Sequence, residues 1–89
     1  MPAVRLSTHA RTSYERLARN DRALFRRVDR ALDRLAEEPA AGKPLVGPLR
    51  GHRSHRVGPV RIVYRYEADA DVVFVLDIAQ RDRAYRRQG

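Results

Sequence analysis

Apolar residues recur along this chain first at a period of two, then near 3.6, then again at two. Val4 and Leu6 alternate with Ala3, Arg5 and Ser7, which predicts a short first strand. Ser7 or Thr8 can cap the next element, a helix. In that helix Ala10, Tyr14, Leu17 and Ala18 recur at steps of three and four. Asn20-Asp21 breaks the pattern and can cap a second helix. Its stripe of Leu24, Val28, Ala31, Leu32 and Leu35 is the clearest helical period in the chain. Glu38-Pro39 ends it, because a residue before proline avoids the helical region. Gly42, Pro44, Gly47, Pro48 and Gly51 then mark an irregular connection to about His52. His55–Val57 leads to a turn at Gly58-Pro59. Val60, Ile62, Tyr64 and Tyr66 alternate with Arg61, Val63, Arg65 and Glu67, the signature of a strand. After a polar turn at Ala68–Asp71, the run Val72–Ile78 is almost wholly apolar, as in a central strand, and only Asp77 interrupts it.

The element order is strand, helix, helix, strand, strand, strand, an α+β fold in one domain spanning residues 1–89. The last three strands are joined by short turns and should form an antiparallel meander. The helical hairpin must bury its stripe on one face of a four-stranded, mainly antiparallel sheet. The sense in which the first strand pairs is open. Leu24, Val28, Leu32, Leu35, Ile62, Tyr64, Phe74 and Leu76 are the core candidates. Residues 81–89 read as a short C-terminal helix or tail. The sheet face away from the helices, carrying Arg61 and its neighbours, is left for something else.

Charge gives that free face a meaning. The 89 residues include 19 basic and 11 acidic ones, a net charge of +8, and 18 of the basic residues are arginine. No acid occurs from Pro39 to Tyr66, a stretch that carries Lys43, Arg50, Arg53, Arg56, Arg61, Arg65, His52 and His55. A second cluster, Arg81, Arg83, Arg86 and Arg87, surrounds Tyr85. Such a distribution fits a polyanion, since Lys and Arg displace condensed counterions from phosphates. Genome composition can favour arginine over lysine, but it does not empty a stretch of acids. Arg22, Arg26, Arg27, Arg30 and Arg34 of the second helix interleave with Asp29 and Asp33 and read as a solvated face. Without cysteine there is no disulfide framework and no thiolate metal site. The histidines lack the carboxylate neighbours that a zinc site would need, so no metal or other cofactor is expected. No apolar run approaches the roughly 18–20 residues of a membrane span, and the N-terminus lacks an apolar signal core. A soluble cytoplasmic protein is the expectation.

Three segments carry a resemblance. They are Gly42-Lys43-Pro44-Leu45 with Leu49-Arg50-Gly51, then Arg56-Val57-Gly58-Pro59-Val60-Arg61-Ile62-Val63-Tyr64, then Ile78-Ala79-Gln80-Arg81-Asp82-Arg83-Ala84-Tyr85-Arg86. In this order and spacing the chain resembles the RelE/ParE superfamily of bacterial toxins over almost its whole length. The resemblance implies a compact toxin neutralised by a RelB-like antitoxin, usually encoded beside it. Within the superfamily the RelE branch cleaves messenger RNA in the ribosomal A site, and the ParE branch poisons DNA gyrase. Arg61, Arg81 and Tyr85 match the RelE-branch pattern, and Arg56 matches a basic position of the same surface. One departure stands out. Lysines usually precede the second strand of that branch, and here the residues are His52, Arg53, Ser54 and His55.

RNA cleavage through the neighbouring 2′-hydroxyl needs a base, charge stabilisation at phosphorus and an acid for the 5′-oxygen. Arg56, Arg61 and Arg81 can stabilise charge, because a guanidinium fork matches phosphate oxygens. Tyr85 can act as base if nearby cations lower its pKa, can stack on a nucleobase, or can simply pin the C-terminal segment. His55 and His52 can take a lysine's part as acid or base, the common catalytic use of an imidazole, although histidines in a basic loop are commonly plain surface groups. Lys43, Arg50, Arg53 and Arg83 would add phosphate contacts. Tyr64 and Tyr66 share the face of Ile62 and read as core, and Asp77 reads as a partner for an arginine of a neighbouring strand. The competing readings are a gyrase inhibitor without catalytic residues and a nucleic-acid-binding homologue without activity.

Overall fold

The computed structural model describes residues 2–80. Among them the order is β1 (Ala3–Leu6), α1 (Thr8–Asn20), α2 (Arg22–Glu37), β2 (Lys43–Pro44), β3 (Arg53–Val57), β4 (Val60–Glu67) and β5 (Val72–Gln80), with short 3-10 turns at Pro39–Ala41 and Gly47–Leu49. The proposed C-terminal helix or tail lies outside the described residues.

Each helix begins where a side chain can cap it. The Ser7 hydroxyl accepts from the Ala10 amide at 3.0 Å, and the Asp21 carboxylate accepts from the Leu24 amide at 3.1 Å. The stripe on α2 faces the sheet: Leu24, Val28, Leu32, Leu35 and Ala36 are buried, as are Ala10 and Leu17 of α1. Truncating one of the large α2 side chains to alanine would cost about 2–5 kcal/mol. The two helices are joined laterally by Tyr14, whose hydroxyl donates to Asp29 at 2.7 Å and whose ring lies 4.9 Å from that of Phe25.

The sheet has the order β1-β5-β4-β3-β2. β1 pairs parallel to β5, which settles the open question, and the other pairs are antiparallel. One strand more than expected is present. Lys43 and Pro44 pair with Ser54 and Arg53 at the β3 edge, and a two-residue strand containing proline has no period by which to be seen. β3 begins at Arg53 and β5 runs on to Gln80.

Three residues expected in the core, Phe74, Leu76 and Tyr66, are not in it. The β4–β5 register shifts between Val63 and Tyr64: Val63 opposes Asp77, whereas Tyr64 opposes Val75. The extra residue on β5 is a bulge, which inverts the inward–outward phase of the strand. Ile78 therefore faces the helices together with Val75 and Val73, and Phe74 and Leu76 are only half-buried. The Leu76 carbonyl at the bulge accepts from the Ser7 hydroxyl at 2.8 Å, tying the β1–α1 junction to β5. Phe74 instead underlies the Arg65 guanidinium, 4.8 Å from its ring centre. Tyr66, at the strand's far end, is 41% exposed and donates to Asp71 at 2.6 Å.

Burial, the hydrogen bond to Asp29 and the charges of Asp29 and Asp33 push the Tyr14 phenol up to about 12. Burial also raises Tyr64. A raised acid keeps its proton more tightly in the fold than in the unfolded chain. Its stabilising contribution is whole below the ordinary tyrosine value near 10 and is lost as pH climbs through the folded value. The protein should therefore lose stability between about pH 10 and pH 12. Tyr14→Phe, less stable at neutral pH, should show a shallower loss across that window, read from urea melts at stepped pH.

Candidate functional site

The two-residue turn Gly58-Pro59 sets the register of the β3–β4 hairpin. Gly58 has φ 56°, and proline holds negative φ at the next position, the combination of a type II′ hairpin. That turn locks Val57 opposite Val60 and hence Arg56 opposite Arg61. Val57, Val60 and Ile62 are buried under the helices, so the period of two puts Arg56 and Arg61 on the other face. Both are exposed. Like charges directly opposite each other on adjacent strands destabilise a sheet, and no carboxylate among the described residues lies within ion-pair distance of either. An anion seated between the two guanidinium groups would relieve that repulsion.

Lys43 shares this open face, since it pairs with Ser54, two residues before Arg56. Arg65 is also on it but is engaged: it meets Glu67 at 2.7 Å and covers Phe74. The remaining predicted residues separate. His55, one residue from Arg56, lies on the helix side and lines a groove with Arg27, Arg30 and Arg34 of α2. The sheet thus stands between His55 and Arg61. Arg53 donates to the carbonyls of Gly42 at 2.9 Å and Ala40 at 3.3 Å, holding the Pro39–Ala41 turn. Both ring nitrogens of His52 are buried without a hydrogen-bond partner among the described residues. Arg50 is exposed just after the Gly47–Leu49 turn. Arg81, Arg83 and Tyr85 lie outside the described residues. The described chain hands over to them at Gln80, which pairs with Val60 beside Arg61.

The segment leading into β2 is set by Tyr64. Its ring is fully buried, its hydroxyl donates to the Pro39 carbonyl at 2.7 Å, and it accepts from the Gly42 amide at 2.8 Å. Asp77, expected beside an arginine, instead has Oδ1 at 3.0 Å from His9 Nε2. Three contributions went unread in the sequence: the like-charged cross-strand pair, the Tyr64 clasp, and the part of α2 in the His55 groove. The first and third had signals, namely the Gly58-Pro59 turn and the spacing of Arg27, Arg30 and Arg34.

Fold and site together define a small basic α+β protein with one sheet face packed by a helical hairpin and the other cationic. A family model described as the ParE toxin of type II toxin–antitoxin systems matches residues 4–85, and the chain belongs to this RelE/ParE toxin family. It is 36% identical to Toxin RelG of Mycobacterium tuberculosis over 85 residues, covering 94% of this chain and 95% of that one. A chain in the crystal structure of the RelBE2 toxin–antitoxin complex of Mycobacterium tuberculosis matches with a TM-score of 0.75 and 34% identity, covering 90% of this chain and 91% of that chain. The YoeB/ParE toxin of Agrobacterium tumefaciens matches with a TM-score of 0.80 over 88% of this chain and 96% of its own, and at 22% identity that likeness bears on the fold alone.

Proposed function

We propose that this toxin is an endoribonuclease that cleaves messenger RNA in the ribosomal A site and so stops translation in the cytoplasm. The observation that carries the proposal is the cross-strand pair Arg56 and Arg61, two cations set side by side on the open sheet face. In the proposed reaction the 2′-oxygen attacks the adjacent phosphorus as its proton passes to a base. The bond to the 5′-oxygen breaks, that oxygen takes a proton, and the products are a 2′,3′-cyclic phosphate and a 5′-hydroxyl end. Arg61 and Arg56 hold the phosphate oxygens as charge grows, and Arg81 adds a third fork. Tyr85 is the proposed base. Lys43 extends the phosphate contacts along the same face, with Arg50 and Arg83 further out. His55 would reach the reaction only around the β3 edge, which makes it the weaker claimant to an acid or base role.

A RelB-like antitoxin, encoded beside the toxin, is the proposed resting partner. Its acidic or amphipathic segment would cover the cationic face, and complementary charge would speed the encounter. The match to a ParE-described family model favours a second reading, inhibition of DNA gyrase. Incubating the toxin with programmed ribosomes and, separately, with gyrase and supercoiled DNA decides between them. The first reading expects cut ribosome-bound message and unaffected gyrase. Intact message with stalled gyrase would replace it by the second.

A further inference from the structure

The groove between α2 and β3 has a volume of about 610 Å³ and is lined by charged side chains rather than by a core. Arg27, Arg30 and Arg34 enter it from α2 at helical spacing, His55 enters it from β3, the strand at Arg56 borders it, and Val57 and Gly58 close its end at the hairpin turn. The Arg27 guanidinium lies over that turn, with Nη1 3.1 Å from where a Cβ on Gly58 would stand. Acids are distributed unevenly along it. Asp33 and Glu37 line the end nearer the C-terminus of α2, where Arg34 sits 3.8 Å from Glu38 and the helix dipole is negative. At the other end, Arg27, Arg30 and Arg56 are all exposed and none lies within ion-pair distance of a carboxylate among the described residues. The nearby Asp29 is turned to α1, bonded by Tyr14.

β3 at Arg56 joins the two surfaces: the Arg56 side chain opposes Arg61 on the open face, and the strand at this position borders the groove on the helix side. We infer that Arg27 and Arg30, at the hairpin-turn end of this groove, form a second phosphate-binding site for RNA, so that the strand engaged at Arg56 and Arg61 continues around the β3–β4 turn onto α2. The inference rests on the RNA reading of the open face and extends it. An acidic peptide added as a further strand is disfavoured by length. β2 covers Arg53 and Ser54, leaving only His55–Val57 of the β3 edge before the turn.

The test uses the full chain and a fluorescent single-stranded RNA, with affinity measured by anisotropy at several salt concentrations. Arg27→Ala/Arg30→Ala should weaken binding roughly tenfold at physiological salt and flatten the logarithmic salt slope by about 1.4, the share of two phosphates on a single strand. In ribosome-dependent cleavage the same variant should raise KM and leave kcat unchanged. Arg30→Glu, on an exposed helix position, keeps the test intact should the double variant fold poorly, and Arg30→Lys should restore most of the slope. Unchanged affinity and slope in these variants would overturn the groove site while leaving Arg61-dependent cleavage standing. An equal loss for polyglutamate and for RNA would also overturn it, by making the groove a general anion or peptide surface. If wild type cuts no message but the groove variants still lose RNA affinity, the cleavage reading fails and the groove site survives.

Discussion

Arg61→Ala is expected to lower ribosome-dependent messenger cleavage on the order of 10²–10³-fold, the loss typical when one preorganised donor to a developing oxyanion is removed. The fold should not suffer. Arg61 is exposed and has no ion-pair partner among the described residues. Removing one member of the like-charged pair should even stabilise the hairpin by a few tenths of a kcal/mol, the scale of cross-strand pair energies. The variant should thus melt at or slightly above the wild-type temperature while cleaving slowly, a combination that a structural role for Arg61 cannot produce. Arg61→Lys separates charge from shape. It keeps the cation and loses the planar fork, so an intermediate rate is expected. Arg56→Ala should act in the same direction. The measurement is single-turnover cleavage on programmed ribosomes, with circular dichroism melts of each variant. Wild-type rates for Arg61→Ala and Arg56→Ala together would remove the open face from the chemistry.

Legibility in the sequence depended on the range of the interaction. The α2 stripe from Leu24 to Leu35 was legible because its period is repeated and unbroken, and its boundaries were legible because Asp21 and Pro39 act locally. The orientation of Arg61 followed from its alternation with Val60 and Ile62. The same rule placed His55 on the opposite face from Arg56, a consequence that adjacency in a basic cluster conceals. Phe74 and Leu76 were misassigned because a bulge is a tertiary decision. Nothing in Val72–Ile78 marks where one residue is to be skipped, and a continuous apolar run tolerates either phase. Lys43-Pro44 became a strand only because β3 offers it an edge. The arginines of α2 read as solvated, and they are. Their relation to Arg56 appears only when β3 is laid beside the helix.

The most severe loss of stability from a small change is expected at Gly42, and backbone freedom is not the reason. Gly42 has φ −76° and ψ 164°, a conformation that alanine adopts readily. The obstacle is space. A Cβ there would stand 2.5 Å from the Tyr64 hydroxyl, 2.8 Å from its ring and 2.9 Å from the Ser54 carbonyl. None of these can give way cheaply: Tyr64 is fully buried among core side chains, and Ser54 is backbone of β3. Gly42→Ala must either push the chain off the sheet or break the hydrogen bonds by which Tyr64 holds Gly42 and Pro39. Overpacking alone costs about 1–3 kcal/mol, and each buried group left unpaired adds about 1–3 kcal/mol. A loss of roughly 3 kcal/mol corresponds to a fall in Tm of about 12–24 °C for a domain of this size. Tyr64→Phe supplies the decisive control. It removes the nearest atom, so the double variant should lose less than the two single losses combined, by about 1 kcal/mol or more. Because β2 comes directly after it, Gly42→Ala should also displace Lys43 from the open face and weaken RNA binding, whereas Tyr64→Phe should do so less. A Gly42→Ala protein melting within about 2 °C of wild type, well inside the shift that 1 kcal/mol produces, would mean that Tyr64 does not fix this segment.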